Sequence, residues 1–514
     1  MRIGIDVGGT HTDAVLLDGM AIVSSHKALT TTDVRQGIIE ALDAVMSEAN
    51  IEPGSIEAVM IGTTHFTNAV IERRELTETA IIRVCLPTGS GLPPMCDWPE
   101  DIGAVVGNQC YMIAGGHFFN GKPIACIDEA ETNKVIEDIA NKNIKDIAIA
   151  AAFSPANPEH EIAVANLLLK IIPDANISLS HNLGRLGILE RENAAILNAS
   201  LGVLAGRVVY SMKAALKERR IKCPFYISQN DGTLMSADYI ANFPALTFSS
   251  GPTNSIRGAA ILSGIGNAIV VDIGGTTSDI GVLADGFPRE SNSHIEVGGV
   301  RTNFRMPDIL PIGLGGGSLV KEGGNVIGPQ SLGHHLVKES LVFGGETLTA
   351  TDISVANGSC EVGNKSLVAH LDSKIVNTAT ETLHSMIDNA IDKMRPSEEP
   401  VPVILVGGGA ILISQQLKTA SALIQPEHAG VANAIGAVIA QVGGEVEQIV
   451  SYSKVSRETV LENAIREAEA KAVAAGADKS TLRVLDIEET AMSYMDDDAA
   501  RLRVKVIGDL KLGT

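Results

Sequence analysis

A short segment with a glycine-glycine-threonine triplet between two acidic residues occurs twice in this chain of 514 residues. The first copy spans residues 5–19 and the second spans residues 271–286. When the copies are aligned, the two triplets coincide and the flanking acids fall in register. Such a repeat within one chain indicates two related domains, and the length of the chain also favours more than one domain.

Each copy has the pattern of a β-hairpin. Residues 2–6 and 268–272 are rich in β-branched side chains and end at an acid, which is typical of strands. The triplet suits a tight turn because glycine adopts positive φ without steric cost. Residues 13–17 and 279–283 then predict the return strands. We therefore expect each hairpin to carry glycines, hydroxyls and carboxylates at its tip.

Tips of this kind suit the phosphates of a nucleotide. Glycine has no side chain, so phosphate oxygens can approach the backbone N–H groups, and threonine hydroxyls add further donors. The carboxylates of Asp6 and Asp272 can hold Mg²⁺ directly or through water, which offsets the phosphate charge. Two ordinary turns are the alternative, and the matched acids favour the nucleotide site. The predicted phosphate contacts are Gly8, Gly9, Thr10, Thr12, Gly274, Gly275, Thr276 and Thr277.

Two further loops are rich in glycine. The later one follows residues 403–406, which have a strand pattern, and it suits a base or ribose packed against backbone. It lacks the complete dinucleotide fingerprint G-x-G-x-x-G. The earlier one, at residues 313–318, can meet a phosphate or a substrate carbonyl, and a structural turn is the competing interpretation. The glycines assigned to nucleotide binding here are Gly315, Gly316, Gly407, Gly408 and Gly409.

The charge and the apolar pattern exclude several classes of partner. Lysine and arginine number 40 against 61 acidic residues, for a formal net charge of −21. Nucleic acid and anionic membranes call for basic patches, so neither partner is expected. No apolar run reaches the ~18 residues of a membrane helix, and the six cysteines contain no C-x-x-C pair. We therefore expect a cytoplasmic protein with free thiols.

The chain is predicted to have three parts. Residues 1–190 form an α/β lobe with an inserted region near 76–130, whose proline-rich loop is either a lid or partner surface or a plain surface excursion. Residues 191–445 form the second lobe, entered through one long helix over 191–216. Residues 446–514 predict a small α+β appendage, for self-association or for packing on the second lobe.

Taken in order, the motifs resemble the hydantoinase/oxoprolinase family, specifically its hydantoinase A type of subunit. The resemblance covers most of residues 3–445. The sequence departs from the family at Ile61, where many members have histidine, and at residues 332–335, which replace a Pro-Gly-Pro-x-Cys-Tyr-Gly run. Besides the hairpins, the matching motifs lie at residues 62–64, 67–69, 228–232, 250–252, 306–309, 313–318, 349–352 and 431–436.

The resemblance implies an α/β fold with duplicated actin-like (ribonuclease H-like) ATPase domains around a nucleotide cleft, as in sugar kinases and heat-shock ATPases. It implies ATP and Mg²⁺ as cofactors and ATP-dependent opening of a cyclic amide, such as a hydantoin, 5-oxoproline or a related lactam. Alternatives are a small-molecule kinase or an ATP-dependent carboxylase subunit, or a non-enzymatic ATP-driven activator. A second subunit of the hydantoinase B type and a homo-oligomer are the implied partners.

Candidate catalytic residues follow from the motifs and the resemblance. Asp6 and Asp272 are assigned to the metal. The side chains assigned to orient the acceptor carbonyl are Asp13, Asp279, Thr64 and Asn68. The neighbouring His334 and His335 are interpreted as loop histidines, because adjacent side chains on a helix or strand point in different directions.

Overall fold

The computed structural model describes residues 1–8, 11–29, 34–291, 295–453, 455–492 and 499–511. Gly9 and Thr10 therefore lie outside the described residues. The strands found within these ranges are β1 (Arg2–Val7), β2 (His11–Asp18), β3 (Ala21–Leu29), β4 (Ala58–Thr63), β5 (Thr79–Leu86), β6 (Gln109–Ala114), β7 (Asp146–Ala151), β8 (Asn176–Leu179), β9 (Phe225–Ser228), β10 (Thr233–Ser236), β11 (Ala268–Ile273), β12 (Ser278–Ala284), β13 (Phe287–Pro288), β14 (Ile295–Val297), β15 (Val300–Thr302), β16 (Ile309–Ile312), β17 (Ser318–Lys321), β18 (Val326–Ser331), β19 (Val401–Val406), β20 (Ala420–Ile424), β21 (Gln441–Ser451), β22 (Arg483–Ala491) and β23 (Ala499–Gly508). The helices are α1 (Val34–Glu48), α2 (His65–Glu72), α3 (Glu100–Val106), α4 (Glu129–Asn141), α5 (Glu159–Ile171), α6 (Ile188–Ser200), α7 (Gly202–Glu218), α8 (Ala237–Asn242), α9 (Ser250–Ser263), α10 (Leu336–Glu339), α11 (Ala350–Ala356), α12 (Ser373–Met394), α13 (Ala432–Ile439) and α14 (Arg457–Ala475).

The described strands form three larger sheets and two short ribbons. The large sheet has the order β22-β23-β21-β10-β9-β4-β1-β2-β3. The second sheet has the order β13-β12-β11-β19-β20, with β16 also paired to β12. The parallel sheet, of order β6-β5-β7-β8, is inserted between α2 and α6. Two short ribbons, β14 with β15 and β17 with β18, complete the pairing of the described strands.

The repeat predicted from the sequence is present in the topology. In the large sheet, β1 pairs antiparallel with β2 and parallel with β4. In the second sheet, β11 pairs antiparallel with β12 and parallel with β19. Asp6 lies opposite Asp13 in one hairpin, and Asp272 lies opposite Asp279 in the other. The two acids of each hairpin therefore face the same side of their sheet.

The proline-rich loop of the inserted region is held against α6. The guanidinium of Arg83 donates to Glu192 over 2.6 Å in a buried ion pair and also donates to the carbonyl of Leu92 in the loop. The indole N–H of Trp98 donates to Asn193 over 2.7 Å. A buried charge pair that anchors a loop is costly to break, so these contacts fix the loop on α6.

The C-terminal strands extend the large sheet. Strand β21 pairs in parallel with β10 and antiparallel with β23, which brings residues 225–236 and 441–508 into the sheet of the first hairpin. The predicted division had placed these segments in the second lobe and the appendage, and its boundaries stay a prediction. Helix α14 packs on β21 and β23, and the side chain of Ser456 caps it by accepting from the N–H of Thr459.

The long helix predicted over residues 191–216 is two helices. A bend of 48° separates α6 from α7 at Leu201. No single helix among the described residues is long and apolar enough to cross a membrane. Taken together across their bend, α6 and α7 pass that test by length and composition only, and α6 is buried inside the protein along most of its length.

Helices α9 and α13 lie between the large and the second sheet and cross at very short range. Helix α13 packs on β1, β2 and β4, and α9 packs on β11, β12 and β19. A Cβ atom on Gly258 would lie 1.9 Å from the carbonyl oxygen of Ala432, and one on Gly436 would lie 1.8 Å from that of Asn254. Only glycine permits this backbone approach, so the crossing sets the distance between the two hairpins.

Replacement of Gly436 by alanine is expected to destabilise the protein by about 3 kcal/mol or more, because the added methyl group overlaps backbone that cannot move independently. Gly206→Ala is the matched control. Gly206 lies within α7, and nothing lies within 4 Å of its would-be Cβ atom, so alanine should be neutral or should stabilise by up to about 1 kcal/mol. Thermal unfolding followed by circular dichroism at one scan rate measures both. A Gly436→Ala protein that melts with the wild type would contradict the close crossing.

Candidate active site

A cavity of ≈ 530 Å³ opens between the two hairpins. Its lining includes Gly8 of the first hairpin and Gly274, Gly275 and Thr276 of the second. The two turns have the same internal hydrogen bond, since the N–H of Gly8 donates to the carbonyl of His11 over 3.0 Å and the N–H of Gly274 donates to the carbonyl of Thr277 over 2.9 Å. The described parts of both tips therefore meet in one crevice.

Asparagine side chains hold the carboxylates of the first hairpin from two helices. Asn254 of α9 donates to Oδ1 of Asp6 over 3.1 Å. Asn433 of α13 donates to Oδ2 of Asp6 over 3.1 Å and to Oδ2 of Asp13 over 2.8 Å. Burial raises the pKa of Asp6 to about 6, and the hydrogen bond from Asn254 opposes this rise. The amides thus fix both carboxylates while partly offsetting the cost of burying them.

The acids of the second hairpin are also buried beside the cleft. Burial raises the pKa of Asp272, although a hydrogen bond with Ser255 on α9 lowers it. Burial and the nearby carboxylate of Asp272 together raise the pKa of Asp279 to about 7. Four carboxylates therefore line one cavity. Such a concentration of acid needs a cationic ligand or protons.

Lys27 brings a positive charge to this acidic cleft. Its ammonium group lies 2.5 Å from Oδ1 of Asp13, and its side chain is 37% exposed. Strand β3 places Lys27 directly opposite Asp13 on β2. Burial and the charge of Lys27 both lower the pKa of the neighbouring His11. The sequence alone does not predict this place for Lys27, because it depends on the register between β2 and β3.

The glycine loop after β19 closes the cleft next to Asp272. Gly407 has φ of +84°, and a Cβ atom there would lie 2.2 Å from the Asp272 carboxylate. The loop at residues 313–318 supports the second hairpin, since the N–H of Gly316 donates to the carbonyl of Gly274 over 3.0 Å. A Cβ atom on Gly315 would lie 2.6 Å from the backbone nitrogen of Thr276. Glycine is therefore required where these loops pack on the hairpin.

Apolar side chains also line the cavity beside the carboxylates. Together with His334, from the segment that departs from the family pattern, they are Leu336, Val337, Phe343, Val362 and Ile411. Apolar lining with a few polar groups is typical of the part of a pocket that takes a ring. His334, interpreted from sequence as a loop histidine, lies in a short 3₁₀ turn and lines the cavity.

Most of the predicted site residues share this cleft. The ones that line it are Asp6, Asp13, Asp272, Asp279, Thr64, Gly8, Gly274, Gly275, Thr276, Thr277, Gly316, Gly407, Gly408 and Gly409. Thr12 is buried outside the lining, because neighbours on a strand face opposite sides. Gly315 is not part of the lining and packs against the backbone of the second hairpin. Asn68 is exposed one helical turn beyond Thr64, to whose hydroxyl it donates over 3.3 Å. Gly9 and Thr10 lie outside the described residues.

The donor set fits the predicted magnesium ion. Asp6 and Asp272 line the same cavity from the two hairpins. Among the described residues, no three His, Cys, Asp or Glu side chains converge closely enough to hold a metal by themselves. Mg²⁺ usually takes one or two carboxylates together with phosphate oxygens and waters. Because both oxygens of Asp6 accept amide hydrogen bonds, a contact through water suits that residue.

Comparison with relatives gives this geometry a context. Caprolactamase subunit alpha of Pseudomonas jessenii is 25% identical to this chain over 70% of the chain and 54% of its own length. The acetophenone carboxylase gamma subunit of Aromatoleum aromaticum is 24% identical over 69% of the chain and 53% of its own length. The chain thus spans about half the length of each of these two relatives.

Solved structures share the whole fold. The ATP-dependent caprolactamase of Pseudomonas jessenii superimposes with a TM-score of 0.78 at 18% identity, over 99% of this chain and 88% of that one. The nucleotide-free acetone carboxylase superimposes with a TM-score of 0.66 at 16% identity, over 100% of this chain and 88% of that one. The fold is therefore the duplicated actin-like ATPase fold that the sequence predicts.

Family models account for most of the chain. The model of the hydantoinase/oxoprolinase N-terminal region matches residues 2–172, which include the first hairpin and most of the inserted parallel sheet. The hydantoinase/oxoprolinase model matches residues 191–364, which include the second hairpin and the loop at residues 313–318. This chain belongs to the hydantoinase/oxoprolinase family.

Proposed function

We propose that this chain uses ATP to phosphorylate the carbonyl oxygen of a cyclic amide and so prepares the ring for opening. The single observation that carries the proposal is the cleft in which two glycine hairpins, each with a pair of acids in register, face one another. The relative named caprolactamase supports a lactam as the acceptor. Phosphoryl transfer depends mainly on positioning and on charge stabilisation, and a rigid polar cleft provides both.

The proposed chemistry balances with two waters. The amide oxygen attacks the γ-phosphorus, the bond from that phosphorus to the bridging oxygen breaks with its electron pair going to ADP, and the amide nitrogen loses its proton. Water then adds to the activated carbon, and the C–N bond breaks as nitrogen takes up a proton, leaving an acyl phosphate. A second water releases phosphate. The sum is cyclic amide, ATP and two waters giving an amino acid, ADP and phosphate.

The residues that line the cleft have different proposed roles. The backbone N–H groups of the hairpin glycines and the hydroxyls of Thr276 and Thr277 bind the phosphates. Mg²⁺ held near Asp6 and Asp272 supplies charge neutralisation for the triphosphate. Asp13, Asp279 and the hydroxyl of Thr64 orient the acceptor. The apolar side chains of the lining, Phe343 among them, take the adenine ring.

A second subunit is part of the proposal. The caprolactamase and acetophenone carboxylase relatives are each named as one subunit. We assign the steps that follow phosphorylation to a partner of the hydantoinase B type. A carboxylase subunit is the second candidate, because the acetophenone carboxylase gamma subunit is also similar to this chain, and its acceptor is a ketone enolate in place of an amide.

A substrate panel separates these functions. ATP consumption by the chain, alone and with its partner, is measured with caprolactam, 5-oxoproline, hydantoin and acetophenone plus bicarbonate. Stimulation by a cyclic amide is the expected result. Stimulation by the ketone alone identifies the carboxylase subunit. ATP consumption that no small molecule changes, or the absence of consumption, would refute the proposed amide chemistry.

Asp272→Asn should lower ATP turnover by about 100-fold, a loss typical of removing one preorganised charge-stabilising group, because the amide has the same shape without the charge. Asp285→Asn is the matched control, since Asp285 is an exposed acid at the turn after β12 and lies outside the cleft lining. Steady-state turnover and circular dichroism are measured on both. Normal turnover in Asp272→Asn would show that Asp272 does not hold the metal ion.

Phe343→Ala should weaken ATP binding by about 10-fold, or ~1.4 kcal/mol, because the adenine ring loses an apolar wall. The affinity for inorganic tripolyphosphate should not change, since the groups that contact the phosphates stay intact. Phe119→Ala provides a control at a phenylalanine that is 36% exposed and outside the cleft lining. Calorimetric titration with both ligands measures the difference. If the affinities for ATP and tripolyphosphate fell equally, the adenine ring would not bind against Phe343.

A further inference from the structure

One ammonium group stands among the carboxylates of the cleft. Among the described residues that line the cavity, Lys27 is the only lysine or arginine, whereas four aspartates line it. Like charges that lie a few ångströms apart in a partly buried site repel one another strongly, because the protein screens them less than bulk water does. A triphosphate therefore enters a site that repels it unless cations intervene, and Lys27 is the cation that the described lining supplies.

A β-bulge aims Lys27 into the cleft. In the pairing of β2 with β3, Asp18 lies opposite Ala21 and Leu17 opposite Ile22, but Leu16 lies opposite Ser24. An unshifted register would bring His26 opposite Asp13, and the shift brings Lys27 there in its place. Because side chains alternate between the two faces of a sheet, the bulge decides which residue reaches the cavity. Bulges are over-represented next to active sites, where they redirect a side chain.

Asp13 is positioned to orient this ammonium group. The Oδ2 atom of Asp13 accepts from Asn433 over 2.8 Å, while Oδ1 faces Lys27 at 2.5 Å. The side chain of Asp13 is 4% exposed, and that of Lys27 is 37% exposed. The carboxylate is thus held by the protein, and the lysine keeps an open side toward the cavity. The charge of Lys27 also reaches Asp272 on the opposite hairpin, where it opposes the rise in pKa that burial causes.

We propose that Lys27 is a catalytic residue whose ammonium group contacts the γ-phosphoryl oxygens of ATP as the phosphoryl group passes to the acceptor. The inference rests on the proposed function and names a further residue of the same site. The bond from the γ-phosphorus to the bridging oxygen breaks with its electron pair going to ADP, and the bond to the acceptor oxygen forms. The ammonium group keeps its protons throughout and stabilises the negative charge on the three equatorial oxygens.

The contact with the γ-phosphate can be measured without turnover. Calorimetry compares the affinity of the full-length chain for a non-hydrolysable ATP analogue and for ADP, both with Mg²⁺. In Lys27→Met the ratio of the two affinities should fall by about 10-fold, whereas the ADP affinity itself should change little. Lys142→Met is the matched control, because Lys142 pairs with Asp138 on the surface and lies outside the cleft lining. An unchanged ratio in Lys27→Met would overturn the proposal.

Turnover tests the same group by chemical rescue. Lys27→Ala should lose about 100-fold in ATP turnover, with a smaller change in the KM for ATP. Ethylammonium should restore part of this loss with saturation, whereas tetramethylammonium, which has no N–H group, should not. Equal rescue by both ions, or full turnover without any amine, would show that the ammonium group does not bind the phosphoryl oxygens.

Folding is controlled with a variant that keeps the charge. Lys27→Arg retains an ion pair with Asp13, so it is expected to melt like the wild type. If Lys27 acts only by pairing with Asp13, Lys27→Arg should keep full turnover, which would also overturn the proposal. If the ammonium position matters, turnover should fall at least about 10-fold. Wild-type ATP turnover that no cyclic amide stimulates would refute the amide chemistry, and these comparisons would still decide the role of Lys27.

Discussion

The close crossing of α9 and α13 is the constraint on which the cleft depends. Glycines at positions 258 and 436 let the two helix backbones touch, and the helices lie between the sheets that carry the two hairpins. Asn254 comes from one helix and Asn433 from the other. The packing of small residues therefore places the amides that hold the first pair of carboxylates. A contact made of backbone atoms alone thus determines the geometry of the polar site.

Four aspartate carboxylates line the cavity, and the protein has to compensate for their burial. Three of the four aspartates accept hydrogen bonds from the two helices, since amides hold Asp6 and Asp13 and Ser255 holds Asp272. Hydrogen bonds of this kind reduce the cost of burying a carboxylate and fix its orientation. What the protein leaves uncompensated is net negative charge. A nucleotide bound with a divalent cation brings positive charge to the carboxylates and phosphates to the glycine turns, so the two halves of the ligand match the two halves of the site.

Both hairpins and the duplicated fold around them could be predicted from the sequence, but the side chains that support their acids could not. Both hairpins and their acids follow from short segments whose pattern is complete in itself. The amides do not, because the bonds from Asn254 and Asn433 to Asp6 join residues 248 and 427 positions apart. The bend at Leu201 divides an apolar stretch that has helical spacing throughout. The place of Lys27 depends on a bulge, and counting along an even hairpin would have pointed to His26.

A structure of the chain with a non-hydrolysable ATP analogue and Mg²⁺ tests most directly whether the two hairpins bind one triphosphate. We expect the triphosphate to contact Gly8 on one side and Gly274–Thr276 on the other, with the adenine ring against the apolar side chains of the cavity. A triphosphate that touches only one hairpin, or a nucleotide bound outside this cavity, would contradict this expectation.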